Sequence, residues 1–142
     1  MINNEPRPTV VLADDHLGTL NAVSRLIGEE FEILSAVNDG TTALEAVALF
    51  KPDVVVLDIA MPGKDGFEAA RLIRDLRLPT KIVFLTITED WDYVRTAAAL
   101  GASYVLKRRM HHDLVKAANQ ALAGRLFVSP MTAVEVPSGG ER

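Results

Sequence analysis

Five short apolar runs, each followed by a longer stretch of helical periodicity, constrain this chain more than any other feature of its sequence. The runs are rich in β-branched residues, and they occupy residues 9–13, 33–37, 54–57, 82–85 and 104–106. Runs without a polar face are typical of strands in a parallel sheet that is covered on both sides. Their alternation with helices therefore predicts an α/β fold with a single parallel sheet.

The stretches between the runs carry apolar residues at the three- and four-residue spacing of amphipathic helices. The apolar positions that mark five helices lie within residues 17–27, 43–50, 67–76, 91–98 and 114–122. Thr41 or Thr42 is predicted to cap the second helix, and Asp90 the fourth. Gly101 and Gly124 stand where a glycine is expected after the last turn of a helix. Five strands and five helices thus form one doubly wound domain.

Length and composition limit the functions open to the chain. A length of 142 residues fits one domain, and the lack of cysteine excludes disulfides, thiolate metal sites and cysteine nucleophiles. A net charge of −4 argues against binding nucleic acid through a basic surface. No apolar run reaches the roughly 20 residues of a membrane span. The N-terminus has no signal-peptide pattern, so the cytoplasm is the predicted location.

Both ends of the chain are predicted to lie outside the domain. Residues 1–8 contain two prolines and are predicted to form a disordered lead. The domain is expected to cover residues 9–124. The remaining residues, 125–142, end in a stretch rich in proline, serine and glycine and are predicted to form a linker-like tail.

Chemically active side chains follow four of the five predicted strands. Asp14 and Asp15 follow the first strand, Asp58 the third, Thr86 the fourth and Lys107 the fifth. Ligands of open parallel sheets bind at the carboxyl ends of the strands, so we expect these side chains to share one edge. No glycine-rich dinucleotide or phosphate-loop motif follows the first strand, which disfavours nucleotide binding.

These residue types together point to a metal-assisted phosphoryl site. Taken singly, each is more often a helix cap, a turn residue or an exposed side chain; their convergence favours a site. Three adjacent carboxylates repel one another unless a cation lies among them, and oxygen ligands select Mg²⁺ or Mn²⁺. An aspartate in such a site can act as the nucleophile and become an aspartyl phosphate. A lysine and a threonine hydroxyl can then stabilise the phosphoryl oxygens.

Four motifs in register give the chain a family resemblance. They are Val-Leu-Ala-Asp-Asp-His at 11–16, Asp-Ile-Ala-Met-Pro-Gly-Lys-Asp-Gly at 58–66, Val-Phe-Leu-Thr at 83–86 and Gly-Ala-Ser-Tyr-Val-Leu-Lys at 101–107. The chain resembles the receiver (CheY-like) domain of bacterial two-component response regulators over residues 8–124. The Asp-Asp-His opening and Gly-Arg-Leu-Phe-Val-Ser-Pro at 124–130 resemble the NarL/FixJ (LuxR-type) subgroup.

The resemblance implies a fold, a function and partners. The fold would be a single (βα)5 flavodoxin-like domain with strand order 2-1-3-4-5. The function would be phosphoryl acceptance from a sensor histidine kinase with Mg²⁺ or Mn²⁺, as a signalling switch rather than a metabolic enzyme. A homodimer is a further expected form. Members of the subgroup continue into a DNA-binding domain, whereas this chain ends twelve residues after Pro130. The chain is either a stand-alone receiver or a receiver separated from its DNA-binding domain, and we expect no DNA contact by this chain itself.

The resemblance also assigns roles to individual residues. Asp58 is the phosphoacceptor, and Thr86 and Lys107 bind the phosphoryl group. Tyr104 is the aromatic switch that moves inward when Thr86 turns toward the phosphate, which changes the face around Tyr104 and the fourth helix. The metal ligands are Asp14, Asp15, Asp58 and the backbone carbonyl of Ala60.

Some residues depart from the family pattern. Arg108 replaces a common proline after the lysine, so a trans bond is expected before it. Ile87 is bulky and is predicted to narrow access to Asp58. Ala60 and Thr88 are uncharged and cannot activate a hydrolytic water, which predicts a phosphoryl lifetime that is not especially short.

Several alternatives stay open. Arg108, Arg109, His111 and His112 form a cationic cluster that is either a solvated helix start or a partner surface. His16 is expected beside the metal ligands rather than among them. A phosphorylation-independent interaction scaffold is an alternative function that Ile87 favours. A phosphatase of the haloacid dehalogenase type is a weaker one, because Ala60 stands where its second aspartate is needed.

Overall fold

The computed structural model describes residues 6–132, which form a five-stranded parallel sheet with helices on both faces. The strands are β1 (Thr9–Ala13), β2 (Glu32–Val37), β3 (Val54–Leu57), β4 (Lys81–Thr86) and β5 (Ser103–Leu106). The helices are α1 (Leu17–Ile27), α2 (Gly40–Phe50), α3 (Gly66–Asp75), α4 (Trp91–Ala99) and α5 (Met110–Leu122), with a 3-10 turn at Lys107–Arg109. The strand order is β2-β1-β3-β4-β5, which confirms the predicted fold class and topology.

The sheet separates two apolar cores. Val55 and Leu57 of β3 pack on the side of α2, α3 and α4, while Val54 and Val56 pack on the side of α1 and α5. Successive strand residues point to opposite faces, and here both faces are covered. This is why the strands are continuous apolar runs and do not alternate with polar residues.

The caps of the helices follow the prediction at α4 but not at α2. Asp90 caps α4, as predicted. At α2 the cap is Asp39, whose carboxylate accepts the N–H of Thr42 at 2.7 Å and its hydroxyl at 2.8 Å. These bonds from Thr42 lower the pKa of Asp39. The prediction of Thr41 or Thr42 as the cap is wrong, because a carboxylate one turn earlier reaches the free N–H groups.

The start of the described chain is held against the domain. Residues 1–5 of the predicted disordered lead lie outside the described residues. Within the rest of that lead, Arg7 Nη1 donates a hydrogen bond to the carbonyl of Gly28 at 2.8 Å. The N–H of Glu32 donates to the carbonyl of Pro8 at 2.8 Å. Residues 7 and 8 therefore contact the ends of α1 and β2.

The described part of the predicted tail lies against the domain and does not form a free linker. The N–H of Tyr104 donates to the carbonyl of Phe127 at 2.8 Å, and the N–H of Ser129 donates to the carbonyl of Tyr104 at 2.9 Å. Residues 127–129 therefore lie along the outer edge of β5 instead of leaving the domain. A strand edge offers unpaired backbone groups, and this segment satisfies some of them. Residues 133–142 of the predicted tail lie outside the described residues.

Gly66 permits the close approach of α3 to the loop that follows β3. A Cβ at this position would stand 2.4 Å from the carbonyl oxygen of Asp58 and 2.7 Å from Cα of Ile59. We expect Gly66→Ala to lower the free energy of unfolding by about 3 kcal/mol, because backbone atoms must move to admit the methyl group. Urea unfolding measures this change.

Gly18→Ala in α1 is the matched control for Gly66→Ala. Apart from the adjacent residues and the backbone of α1 itself, no atom lies within 4 Å of a Cβ built at Gly18. Alanine is the better helix former, so this variant is expected to be unchanged or more stable by about 0.5 kcal/mol. Equal unfolding midpoints for the two variants would contradict the tight contact at Gly66.

Candidate functional site

The carboxyl edge of the sheet brings together the residues predicted to act there. Backbone bonds extend past the strands: the N–H of Asp58 donates to the carbonyl of Ala13 at 2.9 Å, and that of Asp14 donates to Val37 at 3.1 Å. Asp14 and Asp58 are each only 4% exposed. Between them lies Lys107, whose Nζ is 2.9 Å from Asp14 Oδ2 and 3.0 Å from Asp58 Oδ2. A partly buried lysine thus bridges two buried carboxylates.

The carboxylates are close enough to share one cation. Oxygens of Asp14, Asp15 and Asp58 and a ring nitrogen of His16 all lie within 4.8 Å of one another. Asp14 Oδ2 is buried and accepts no well-aligned hydrogen bond from the described residues, although Lys107 is adjacent. A buried carboxylate oxygen whose hydrogen bonding is incomplete is the kind of atom that a hard cation satisfies. The donor set therefore fits Mg²⁺ or Mn²⁺.

His16 lies at the rim of this cluster. Its backbone N–H donates to Asp14 Oδ1 at 2.8 Å. Its ring is 75% exposed, with Nδ1 3.5 Å from Asp15 Oδ1. The backbone of His16 therefore orients Asp14, while its ring lies mostly in solvent beside Asp15.

Burial and neighbouring charges act in opposite directions on the pKa values of Asp58 and Lys107. Burial raises the pKa of Asp58, the charge of Asp14 acts in the same direction, and the contact with Lys107 opposes both. Burial also disfavours the charged form of Lys107, but its contacts with Asp14 and Asp58 outweigh burial and raise its pKa. Lys107 therefore stays protonated, and the carboxylates outnumber it. A divalent cation would neutralise the excess of negative charge.

Thr86 and Tyr104, the predicted switch residues, both contact the backbone of Thr88, one at its N–H and the other at its carbonyl. The hydroxyl of Thr86 accepts the N–H of Thr88 at 3.1 Å. The hydroxyl of Tyr104 donates to the carbonyl of Thr88 at 2.5 Å, and its ring is fully buried. Burial raises the pKa of Tyr104, so the hydroxyl stays a donor. The ring already occupies the inward position that the resemblance reserves for the switched state.

The sequence did not indicate this role of Thr88. Thr88 contacts Thr86 and Tyr104 through its backbone N–H and carbonyl, so the identity of its side chain could not indicate these contacts. Ile87 beside it is 80% exposed and is not packed over the acidic cluster. The prediction that Ile87 narrows access to Asp58 is therefore not supported, because a side chain with that exposure extends into solvent.

The cationic cluster after Lys107 is partly used within the domain. Arg108 Nη2 lies 3.2 Å from Glu89 Oε2, and Arg109 Nε lies 2.8 Å from Asp113 Oδ2. Both histidines that follow are exposed. No described residue has a cis peptide bond, so the bond before Arg108 is trans as expected. Sequence reasoning treated Asp113 only as part of a helix start and did not identify its contact with Arg109. Its four-residue spacing from Arg109 is a signal for the pair.

Comparison with known proteins identifies the family. The family model described as the response regulator receiver domain matches residues 10–119, most of the chain. The chain belongs to the response regulator receiver family. This confirms the resemblance read from the four motifs, and it makes the chain a signal-receiving domain of two-component systems. Such domains are signalling switches rather than metabolic enzymes.

Known relatives of this receiver place it near the predicted subgroup. The nitrate/nitrite response regulator NarL of Escherichia coli K12 is 33% identical over 132 residues, which cover 91% of this chain and 61% of NarL. The transcriptional regulatory protein DegU of Brevibacillus brevis is 33% identical over 130 residues, which cover 89% of this chain and 55% of DegU. The chain thus spans little more than half the length of these relatives.

A solved structure supports the same assignment. A two-component response regulator of the LuxR family from Aurantimonas sp. SI85-9A1 superposes with a TM-score of 0.82 and 31% identity, covering 87% of this receiver and 91% of that chain. The predicted similarity to LuxR-type regulators is therefore confirmed. Among residues 6–132, no helix has the length and apolar character needed to cross a membrane.

Proposed function

We propose that this receiver is switched by phosphorylation of Asp58, with a sensor histidine kinase as the phosphodonor. The observation that carries the proposal is the contact of Lys107 Nζ with both Asp14 and Asp58 at the carboxyl edge of the sheet. An ammonium beside a buried carboxylate is placed to stabilise charge that develops on a transferred phosphoryl group.

The transfer is a displacement at phosphorus. An oxygen of Asp58 forms a bond to phosphorus while the bond from phosphorus to the donor's imidazole nitrogen breaks, and the imidazole leaves with the electron pair. Lys107 donates hydrogen bonds to the phosphoryl oxygens, since its Nζ is already 3.0 Å from Asp58 Oδ2. The hydroxyl of Thr86 donates to another of these oxygens. Each contact is stronger with the phosphoryl charge than with the resting carboxylate.

Asp14, Asp15, Asp58 and the backbone carbonyl of Ala60 would hold Mg²⁺, or Mn²⁺ in its place. The ion supplies neutralisation of phosphoryl charge at this edge of the sheet. The observation that supports this assignment is the buried Asp14 Oδ2, which has Lys107 beside it but accepts no well-aligned hydrogen bond from the described residues. For Ala60, the support is its position two residues after Asp58, where its N–H donates to Asp58 Oδ1 at 3.4 Å.

The loop after β4 carries the switch. When the hydroxyl of Thr86 turns toward the phosphoryl group, the N–H of Thr88 loses its acceptor. The hydroxyl of Tyr104 donates to the carbonyl of the same residue, so motion of the loop also changes a contact of the Tyr104 side chain. An inward swing of Tyr104 is not needed, because the ring is already buried. The result is a population shift driven by one local change of charge.

The partners follow from this mechanism. The phosphodonor is a histidine kinase, the location is the cytoplasm, and a homodimer is the expected output form. DNA contact is not assigned to this chain, although DegU is named a transcriptional regulatory protein. The scaffold alternative loses the support of Ile87, because this side chain is 80% exposed and extends into solvent. The comparisons do not favour a phosphatase.

Acetyl phosphate with and without Mg²⁺ tests the proposed function, with intact mass as the readout. We expect a single phosphoryl adduct that requires Mg²⁺, because the carboxylates repel an anionic donor unless a cation neutralises them. Continuous release of phosphate from a phosphomonoester would instead indicate a phosphatase. A folded protein that binds Mg²⁺ and forms no adduct would overturn the proposal and favour the scaffold.

A further inference from the structure

Residues 127–132 are tied to the domain at both of their ends, which the proposed switch does not explain. Phe127 and Ser129 form the backbone hydrogen bonds to Tyr104, and Val128 pairs with Tyr104 in parallel orientation. The segment therefore extends the sheet by a short piece next to β5. The residue that it pairs with is the same one whose hydroxyl holds the switch loop.

The first anchor of this segment is a buried polar network around Ser129. The hydroxyl of Ser129 donates to Asp113 Oδ2 at 2.8 Å and accepts the N–H of Leu106 at 3.1 Å. Ser129 and Asp113 are both buried. Burial alone would raise the pKa of Asp113, but Arg109 and Ser129 reverse this and lower it. A buried network whose members are all paired is rigid, so this anchor is firm.

The second anchor lies on the switch loop itself. The hydroxyl of Thr132 donates to Glu89 Oε2 at 2.6 Å, and its backbone N–H donates to the same oxygen. Glu89 stands three residues after Thr86 in the loop between β4 and α4. Arg108 contacts the same carboxylate at 3.2 Å and helps to orient it. This anchor is partly exposed, so it is weaker than the first.

The two anchors differ in their relation to the phosphorylation site. Thr86 contacts Thr88, and the next residue, Glu89, holds Thr132. Motion of Thr86 therefore acts on the second anchor through three consecutive loop residues. The hydroxyl of Ser129 instead contacts Asp113 of α5 and the backbone of Leu106 in β5.

We propose that residues 127–132 form a strap whose far end is released by the switch loop, with Glu89 and Ser129 as its positioning residues, a role that rests on the proposed function. In the resting state Glu89 holds Thr132 against the loop. When Thr86 turns toward a phosphoryl group, the loop shifts and Thr132 is released, while Ser129 stays bound to Asp113. The strap thus transmits the state of Asp58 to the chain beyond residue 132.

Amide hydrogen exchange measured by NMR tests the strap at two positions of one molecule. The N–H of Thr132 reports on Glu89, and the N–H of Ser129 reports on β5. After acetyl phosphate and Mg²⁺, with the adduct checked by intact mass, we expect exchange at Thr132 to rise about tenfold or more. Exchange at Ser129 is expected to change less than about twofold, because its N–H donates to Tyr104 while its hydroxyl is held by the firm anchor.

Glu89→Ala provides a test without phosphate. It removes the acceptor of Thr132, so exchange at Thr132 is expected to be fast before any phosphodonor is added, and the adduct at Asp58 still forms. Glu45→Ala, an exposed glutamate on α2, is the matched control and is expected to leave exchange at Thr132 unchanged.

The outcomes separate the strap from the proposed function. An adduct with unchanged exchange at Thr132 would overturn the strap and leave the switch intact. Equal release of Ser129 and Thr132 would overturn the division into a firm and a released anchor. A wild-type protein without an adduct would overturn the proposed function. In that case Glu89→Ala still decides whether Glu89 holds Thr132.

Discussion

Asp58→Asn is expected to abolish phosphorylation of this receiver by acetyl phosphate. The amide oxygen of asparagine is a weak nucleophile, so the rate of adduct formation should fall by roughly 1,000-fold or more. The variant should fold, because asparagine relieves the repulsion between Asp58 and Asp14 and keeps an acceptor for Lys107. Intact mass measured over time, with circular dichroism to check folding, gives both results.

Asp75→Asn is the matched control for Asp58→Asn. It makes the same change of charge at an exposed position of α3, so it should form the adduct at the wild-type rate. Retention of the adduct in Asp58→Asn would move the nucleophile to Asp14 or Asp15. That result would contradict the assignment of Asp58 as the phosphoacceptor.

Lys107→Gln is expected to have two effects of opposite sign. Without the ammonium, the phosphoryl oxygens lose a charged donor, and the rate of phosphorylation should fall about 100-fold. Binding of Mg²⁺ should become tighter by about tenfold, because the positive charge beside Asp14 and Asp58 no longer repels the ion. Isothermal titration calorimetry measures the affinity, and intact mass measures the rate.

Lys81→Gln is the matched control for Lys107→Gln. Lys81 is exposed and begins β4, at the end of the strand opposite to the site. It should change neither the affinity for Mg²⁺ nor the rate of phosphorylation. Weaker binding of Mg²⁺ in Lys107→Gln would show that the lysine does not oppose the ion, and it would contradict the charge balance described for the site.

Much of the fold was predictable because burial on both faces marks each strand in the sequence. The residues Asp14, Asp58 and Lys107 were predictable as a cluster for a related reason: parallel strands align their carboxyl ends. Topology then brings together side chains that are far apart in the chain. The structure bears out this contact through the two short distances from Lys107 Nζ.

The features that sequence reasoning missed depend on tertiary contacts without a local pattern. The pairing of residues 127–129 with β5 uses backbone atoms and is too short to show periodicity. The bond between Ser129 and Asp113 joins residues on different elements, and neither residue type is unusual where it stands. The inward position of Tyr104 depends on a backbone carbonyl of Thr88, which the sequence cannot mark.

Chemical location of the phosphoryl group tests the central claim most directly. Borohydride reduces an aspartyl phosphate to homoserine and leaves an ordinary aspartate unchanged, so peptide mass mapping after reduction identifies the modified residue. We expect homoserine at position 58 alone, and only in samples that received both Mg²⁺ and acetyl phosphate. An unchanged Asp58 in a protein that carries the adduct, with the modification at Asp14, Asp15 or a histidine, would contradict the account.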